Sequence, residues 1–403
     1  MLQASLFRIA PLAVLLALAG CDTGEGTSLY DPDRATNSDP TVTSISPDGS
    51  ALAGIDVVTI TGSNFSPNAD ENLVFFGEAA ATVLSASATE LRVTAPNTPR
   101  EDLPVRVSVR NAANYSAPLA YTLVSALTPY GELARGDEPF GMTSDADGLL
   151  YASLAIDGQA TGIFQIPQPD ARTLYHEDRA STWPDIALGA DGAIYGVRNN
   201  RGVYRLPAGA PSTVFAALPN GVSLTSIAAS PSGDLWVGGS NSALASSALY
   251  RIGPDATVTA VPFPKVVRDL VVLGDALYAA TQTAGLAEVW RFPLDANGSA
   301  GTGTLYYDLT AELGAGTNVF AIEAAADGTL FVGTNAADPV RLIAPDGTAS
   351  ALYPGVLRPP ASEFAWGSGS TLYMGQSRIP ETEVTQAQPG QLYQVITRYE
   401  RRP

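Results

Sequence analysis

A phrase that recurs about every 42 residues constrains this chain more than any other feature. Each copy has an apolar strand, a tight turn, and a second strand pairing an aliphatic residue with an aromatic. A variable loop, a third strand of the Val-Tyr-Arg-Leu kind and a last strand follow. The second-strand aromatics are Tyr151, Tyr195, Trp236, Tyr278, Phe331 and Tyr373, spaced by 44, 41, 42, 53 and 42 residues. Asp147-Gly148, Asp191-Gly192 and Asp327-Gly328 precede three of them and suit two-residue hairpins, which need positive φ. Four short strands per repeat of this length is the mark of a propeller blade, and six copies predict a six-bladed β-propeller over residues 125–403. An open ring would leave a bare sheet edge. The last copy stops after its third strand, and Ser125–Tyr130 resembles an outermost strand. Residues 126–133 are therefore expected to complete the last blade.

Upstream, residues 40–124 carry period-2 runs such as Val57–Thr61, Leu73–Phe76 and Val105–Val109, separated by Gly, Pro and Asn. Short, evenly spaced strands of this kind suit a small β-sandwich. Ile45-Ser46-Pro47, Gly54, Ile60-Thr-Gly-Ser-Asn-Phe65, Val74-Phe-Phe-Gly77, Ala95-Pro96 and Tyr121 resemble the IPT/TIG family of immunoglobulin-like domains. That resemblance implies a spacer or contact module with no shared catalytic residues. Gly62 is expected where the strand leaves the sheet with positive φ, and Phe65 is expected to fold back as a core plug. The fold class expected for the whole chain is thus all-β, an immunoglobulin-like β-sandwich followed by a six-bladed propeller.

The first 20 residues have one positive charge, Arg8, then an apolar run from Ile9 to Leu18. That run is too short to span a bilayer and has the proportions of a signal peptide. Leu18-Ala19-Gly20-Cys21 resembles the lipobox of bacterial lipoproteins. The resemblance implies cleavage between Gly20 and Cys21, lipidation of Cys21, and a place in the bacterial cell envelope, held to a membrane through the N-terminal lipid. Two or more acyl chains anchor a protein stably, where one does not. Residues 21–39 are polar and turn-rich and read as a flexible tether, spanning about 23 Å as a coil.

Composition removes several function classes. Twenty-two basic residues against 40 acidic ones give a net charge of −18. Nucleic acid is excluded as a partner, since phosphate binding needs clustered cations. Cys21, His176 and Lys265 are the only residues of their types. Disulfides, cysteine zinc sites and multi-histidine metal sites are excluded with them. His176 reads as a surface residue without a role. The pairs Tyr204-Arg205, Tyr250-Arg251 and Trp290-Arg291 read as packing aromatics beside solvated arginines, because strand neighbours point to opposite faces.

The blade pattern resembles NHL-like, gluconolactonase-like and virginiamycin-B-lyase-like propellers. The last of these imply a channel histidine as general base, for which this chain has no candidate. Aligning the blades on their turns brings Trp183, Asp185, Arg268, Asp269, Asn318, Phe320, Glu363 and Trp366 near one mouth of the central channel as candidate ligand-binding residues. Asp185, Asp269, Asn318 and Glu363 would be the oxygen ligands if calcium were held there, since calcium takes six to eight oxygens; the gluconolactonase resemblance implies such a Glu/Asn/Asp set. No cofactor is otherwise expected. The favoured function is a binding or scaffold protein whose propeller face takes a protein or glycan. The alternative is a metal-dependent hydrolase or lactonase.

Overall fold

In the computed structural model, residues 36–134, 136–242, 247–378 and 389–402 are described. Cys21 and the expected signal peptide lie outside them. No helix among the described residues is long and apolar enough to cross a membrane.

Eight strands build the sandwich: β1 (Thr41–Ser46), β2 (Ser50–Leu52), β3 (Val57–Ser63), β4 (Asn72–Phe76), β5 (Ala79–Ala86), β6 (Glu90–Thr94), β7 (Arg100–Val109) and β8 (Leu119–Val124). Their order is β1-β3-β6-β5-β4-β7-β8-β2, with β5 pairing to both halves. Alternation sends Val58, Ile60, Val74, Phe76, Val105 and Val107 into one core. Phe65 plugs that core at 4% exposure. Gly62 is required for a different reason from the one expected. Its φ is not positive; a Cβ there would lie 1.9 Å from the Thr41 carbonyl oxygen and 2.6 Å from the Phe65 ring. The tether is also shorter than expected at its C-terminal end. Asn37 donates to the Asn111 and Arg110 carbonyls, and Asp39 accepts from Asn114, which pins residues 37–39 to the sandwich.

Six four-stranded sheets follow, each antiparallel and each starting at the ring's centre. Their first strands are Glu138–Ser144, Asp185–Leu188, Val222–Ala229, Val267–Leu273, Val319–Ala324 and Glu363–Trp366, for blades I to VI. The fourth strand of blade VI is β9 (Leu127–Pro129), which pairs with Gln391–Ile396. The strand that closes the ring thus comes from the start of the propeller. Tyr130 extends the seal: its ring centre lies 4.8 Å from that of Tyr373, among Met142, Leu150, Ile166 and Leu392.

Within the blades, third-strand arginines are paired rather than free in solvent. Arg205, Arg251 and Arg291 lie 3.0, 2.8 and 3.6 Å from Asp191, Asp234 and Asp275, the acids at the turns of their own blades. Asp145 likewise serves its turn, accepting from the Asp147 and Leu149 N–H groups.

The two domains are packed together. Leu52 and Ile55 of the sandwich, with Val124 and Ala126 of the connection, join the cluster of Leu352, Tyr353 and Leu357 on the flank of blades V and VI. Asp56, whose other oxygen accepts from the Leu52 N–H, pairs with Arg398 across the join.

Candidate functional site

The register of the six sheets brings equivalent residues into one ring. Two residues before the partner of each second-strand aromatic stand Gly141, Asp185, Ser226, Asp269, Ala321 and Glu363. The side chains of Asp185, Ser226 and Asp269 reach the following blade. At Gly141 no side chain fits, because a Cβ would lie 2.2 Å from the Asp185 Cα.

The two aspartates stitch blades. Asp185 accepts from its neighbour Ile186 at 2.8 Å and from Ile227 of blade III at 2.7 Å. Asp269 accepts from Leu270 and from Ile322 of blade V, both at 2.7 Å, and from the Ser226 hydroxyl at 2.9 Å. Glu363, one methylene longer, repeats neither bond, and its carboxyl has no hydrogen-bond partner among the described residues. Burial pushes all three carboxyls up, Asp269 to about 7. The charge of Asp269 adds to the rise at Asp185, and the charges of both aspartates add to it at Glu363. Backbone N–H groups offset part of the effect at the aspartates, while Glu363 has no such relief.

The sign of the pH effect follows. An acid whose folded pKa is raised binds its proton more tightly when folded. Its contribution to stability is present below the ordinary carboxylate range and is lost as pH climbs through the raised value, about 7 for Asp269. Glu363→Gln, which cannot ionise, should therefore melt higher than wild type at pH 8 by several degrees, with the advantage shrinking by pH 5. Differential scanning calorimetry at the two values checks this; an equal difference at both would mean Glu363 does not hold its proton.

Of the other candidates, Arg268 and Phe320 stay beside the ring and the rest fall elsewhere. Trp183 and Trp366 are core residues, not mouth residues. Trp183 is fully buried, with the Arg198 guanidinium 4.0 Å from its ring centre. Trp366 faces back toward blade V, donating to the Ala324 carbonyl at 2.8 Å and meeting Phe331 edge-on. Alternation explains this, because residues 363 and 366 point to opposite faces of their strand. Arg268 is exposed and Phe320 half-buried beside the ring positions. Asn318 sits on an exposed loop: its N–H bonds Asn335 and its side chain bonds the Gly316 carbonyl. The four expected oxygen ligands are not brought together, and no group of three His, Cys, Asp or Glu among the described residues could hold a metal. His176 is not on the surface either. It is buried, with Nδ1 2.9 Å from the Pro207 carbonyl and its ring edge-on to Trp183.

Sequence reasoning also missed what happens at the channel's other end, where the first-to-second-strand turns lie. Residues 397–402 cross it. Glu400 accepts from Ala326, Arg401 pairs with Ala325 and donates to the Gly369 and Ala146 carbonyls, and Arg402 bonds Glu323 and the Val272 carbonyl. One short segment therefore touches blades I, IV, V and VI. Nothing in the repeat pattern announces it, since the segment lies beyond the last repeated strand.

Residues 40–123 match the family model of the IPT/TIG domain. No curated protein matches the chain. Among solved structures, regucalcin from Agrobacterium tumefaciens, described as a calcium-binding protein, is 18% identical, with a TM-score of 0.52. The match covers 68% of this chain and 94% of that one. A gluconolactonase from Xanthomonas campestris is 14% identical at TM-score 0.52, covering 67% and 89%. An auxiliary nutrient binding protein from Bacteroides ovatus covers 86% of this chain and 96% of its own, at 15% identity and a TM-score of 0.48, too distant to bear on function. At such identities the likeness is one of fold. The chain therefore joins a segment that matches the IPT/TIG domain model, residues 40–123, to a six-bladed β-propeller whose fold is shared with the regucalcin and gluconolactonase structures.

Proposed function

We propose that this is a lipid-anchored binding or scaffold protein of a bacterial cell envelope, with the loop end of its propeller turned toward a protein or glycan. The observation that supports this reading is the inequality of the ring's two ends. The turn end is strapped by residues 397–402, while at the loop end Glu363 has no hydrogen-bond partner among the described residues and Arg268 is exposed. The sandwich, packed on the flank of blades V and VI, acts as a rigid spacer. The acidic surplus gives the chain no attraction for anionic headgroups, so anchoring falls to the lipid on Cys21. Metal-dependent hydrolysis, the alternative, needs Asn318 beside the carboxylates, and Asn318 is engaged elsewhere.

Cys21→Ser should move the protein from the membrane fraction to the soluble fraction of a bacterial host; continued retention would refute lipid anchoring. Hydrogen exchange with solubilised envelope added should protect residues 138–141 and 319–321 at the loop end. Protection at the turn end alone would remove the proposed orientation.

A further inference from the structure

A second surface, separate from the ring of first strands, has the make-up of a ligand site. It is a cleft of about 570 Å³ on the outer strands of blade IV. Small-molecule sites occupy roughly 300–1,000 Å³ and combine apolar walls with a few placed polar groups. Here Pro262, Phe263 and Pro264 form one wall, from the connection between blades III and IV. Trp290, on the strand Leu286–Pro293, forms another, and Gly301–Gly303 form the third.

The polar groups are held in place. Glu288, buried two residues from Trp290 on the same strand, accepts from the Trp290 indole N–H at 2.8 Å and from Lys265 Nζ at 2.6 Å through one oxygen, Oε2. Lys265 Nζ lies 4.9 Å from the Trp290 ring centre, and Phe263 meets that ring edge-on at 5.5 Å. An aromatic plate and a cation are thus fixed by one carboxylate before any ligand arrives, which lowers the ordering cost of binding. An ammonium has three donors, and Glu288 takes one. The remaining two belong to a side chain that lines the cleft.

These features select a ligand class. Lys265 is the only lysine in a chain with 40 acidic residues, and Glu288 neutralises it locally. A charged ligand gains little from a cancelled pair. A molecule with an apolar C–H face and several neutral oxygen acceptors gains from both the indole and the free donors. The glycines add a wall without side chains that a ligand can approach closely. We propose that this cleft binds a neutral saccharide, one pyranose face against the exposed part of Trp290 and its hydroxyl oxygens on Lys265.

The test is calorimetric titration of the full chain with maltohexaose, cellohexaose, xylohexaose and chitohexaose. At least one should bind in the millimolar range or tighter. Trp290→Ala and Lys265→Met should each weaken it by about tenfold or more, equal to about 1.4 kcal/mol. Trp290→Phe keeps an aromatic plate and should retain part of the affinity, which covers the case of Trp290→Ala failing to fold. No binding by any of the four sugars would overturn the proposal. So would equal binding by the folded Lys265→Met and Trp290→Phe proteins, or binding of a proline-rich peptide in place of all four sugars. None of these outcomes alters the fractionation of Cys21→Ser or exchange at the loop end, so the two readings fail separately.

Discussion

Deleting residues 125–133 should lower the melting midpoint of the propeller by more than about 10 °C and turn its unfolding into aggregation. The deletion removes β9, whose three residues pair with Tyr393, Gln394 and Val395. It also removes Tyr130, buried against Tyr373 and bonded to the Ile166 carbonyl. Truncating a buried aromatic to alanine costs about 3–5 kcal/mol. In a propeller of this size each kcal/mol shifts the midpoint by about 2 °C. The lost ladder and the bared edge of Gln391–Ile396 add to that, and an unpaired edge recruits other strands. Tyr130→Ala, which leaves the connection to the sandwich intact, should by itself lower the midpoint by about 6–10 °C. Scanning calorimetry with light scattering reads both effects. A deletion that melts within about 2 °C of wild type would show that the ring does not depend on β9.

Trp366→Ala should be the most damaging single substitution at the centre of the ring. The indole fills the space between blades V and VI, edge-on to Phe331, and its N–H satisfies the Ala324 carbonyl. Truncation costs about 3–5 kcal/mol for the side chain. The orphaned carbonyl adds about 1–3 kcal/mol unless water reaches it. A fall of about 10 °C or more in the midpoint is expected. A midpoint unchanged by Trp366→Ala, with altered ligand binding instead, would return this residue to the mouth of the channel.

The fold was legible because the repeat carries its own phase. Second-strand aromatics and Asp-Gly turns fix where each first strand begins, and the same count picks out Asp185, Asp269 and Glu363 as ring positions. The count places a backbone position but not the direction of its side chain. Trp183 and Trp366 lie near the ring in sequence yet serve the spaces between blades. Asn318 lies near it too, on a loop whose path is set by Gly316 and Asn335. His176 was misread for a related reason. It sits beside exposed Leu174 on an outer strand, and a shift in register between Ile163 and Phe164 turns its ring inward against Trp183. The cleft at Trp290 had no sequence signature, because its walls come from three separate stretches. Glu288 joins two of them, through Lys265 and Trp290.

The position of β9 sets an order for making the protein. As the chain emerges N-terminus first, β9 appears ahead of every blade, and its partner Gln391–Ile396 appears last. No local contact can shelter β9 meanwhile, and pairings this remote in sequence form slowly. The ring therefore cannot close before Gln391–Ile396 has been made, and an unfinished blade persists until that strand arrives. Over that interval the growing chain has an exposed edge at each end, so chaperone demand should peak late in biogenesis.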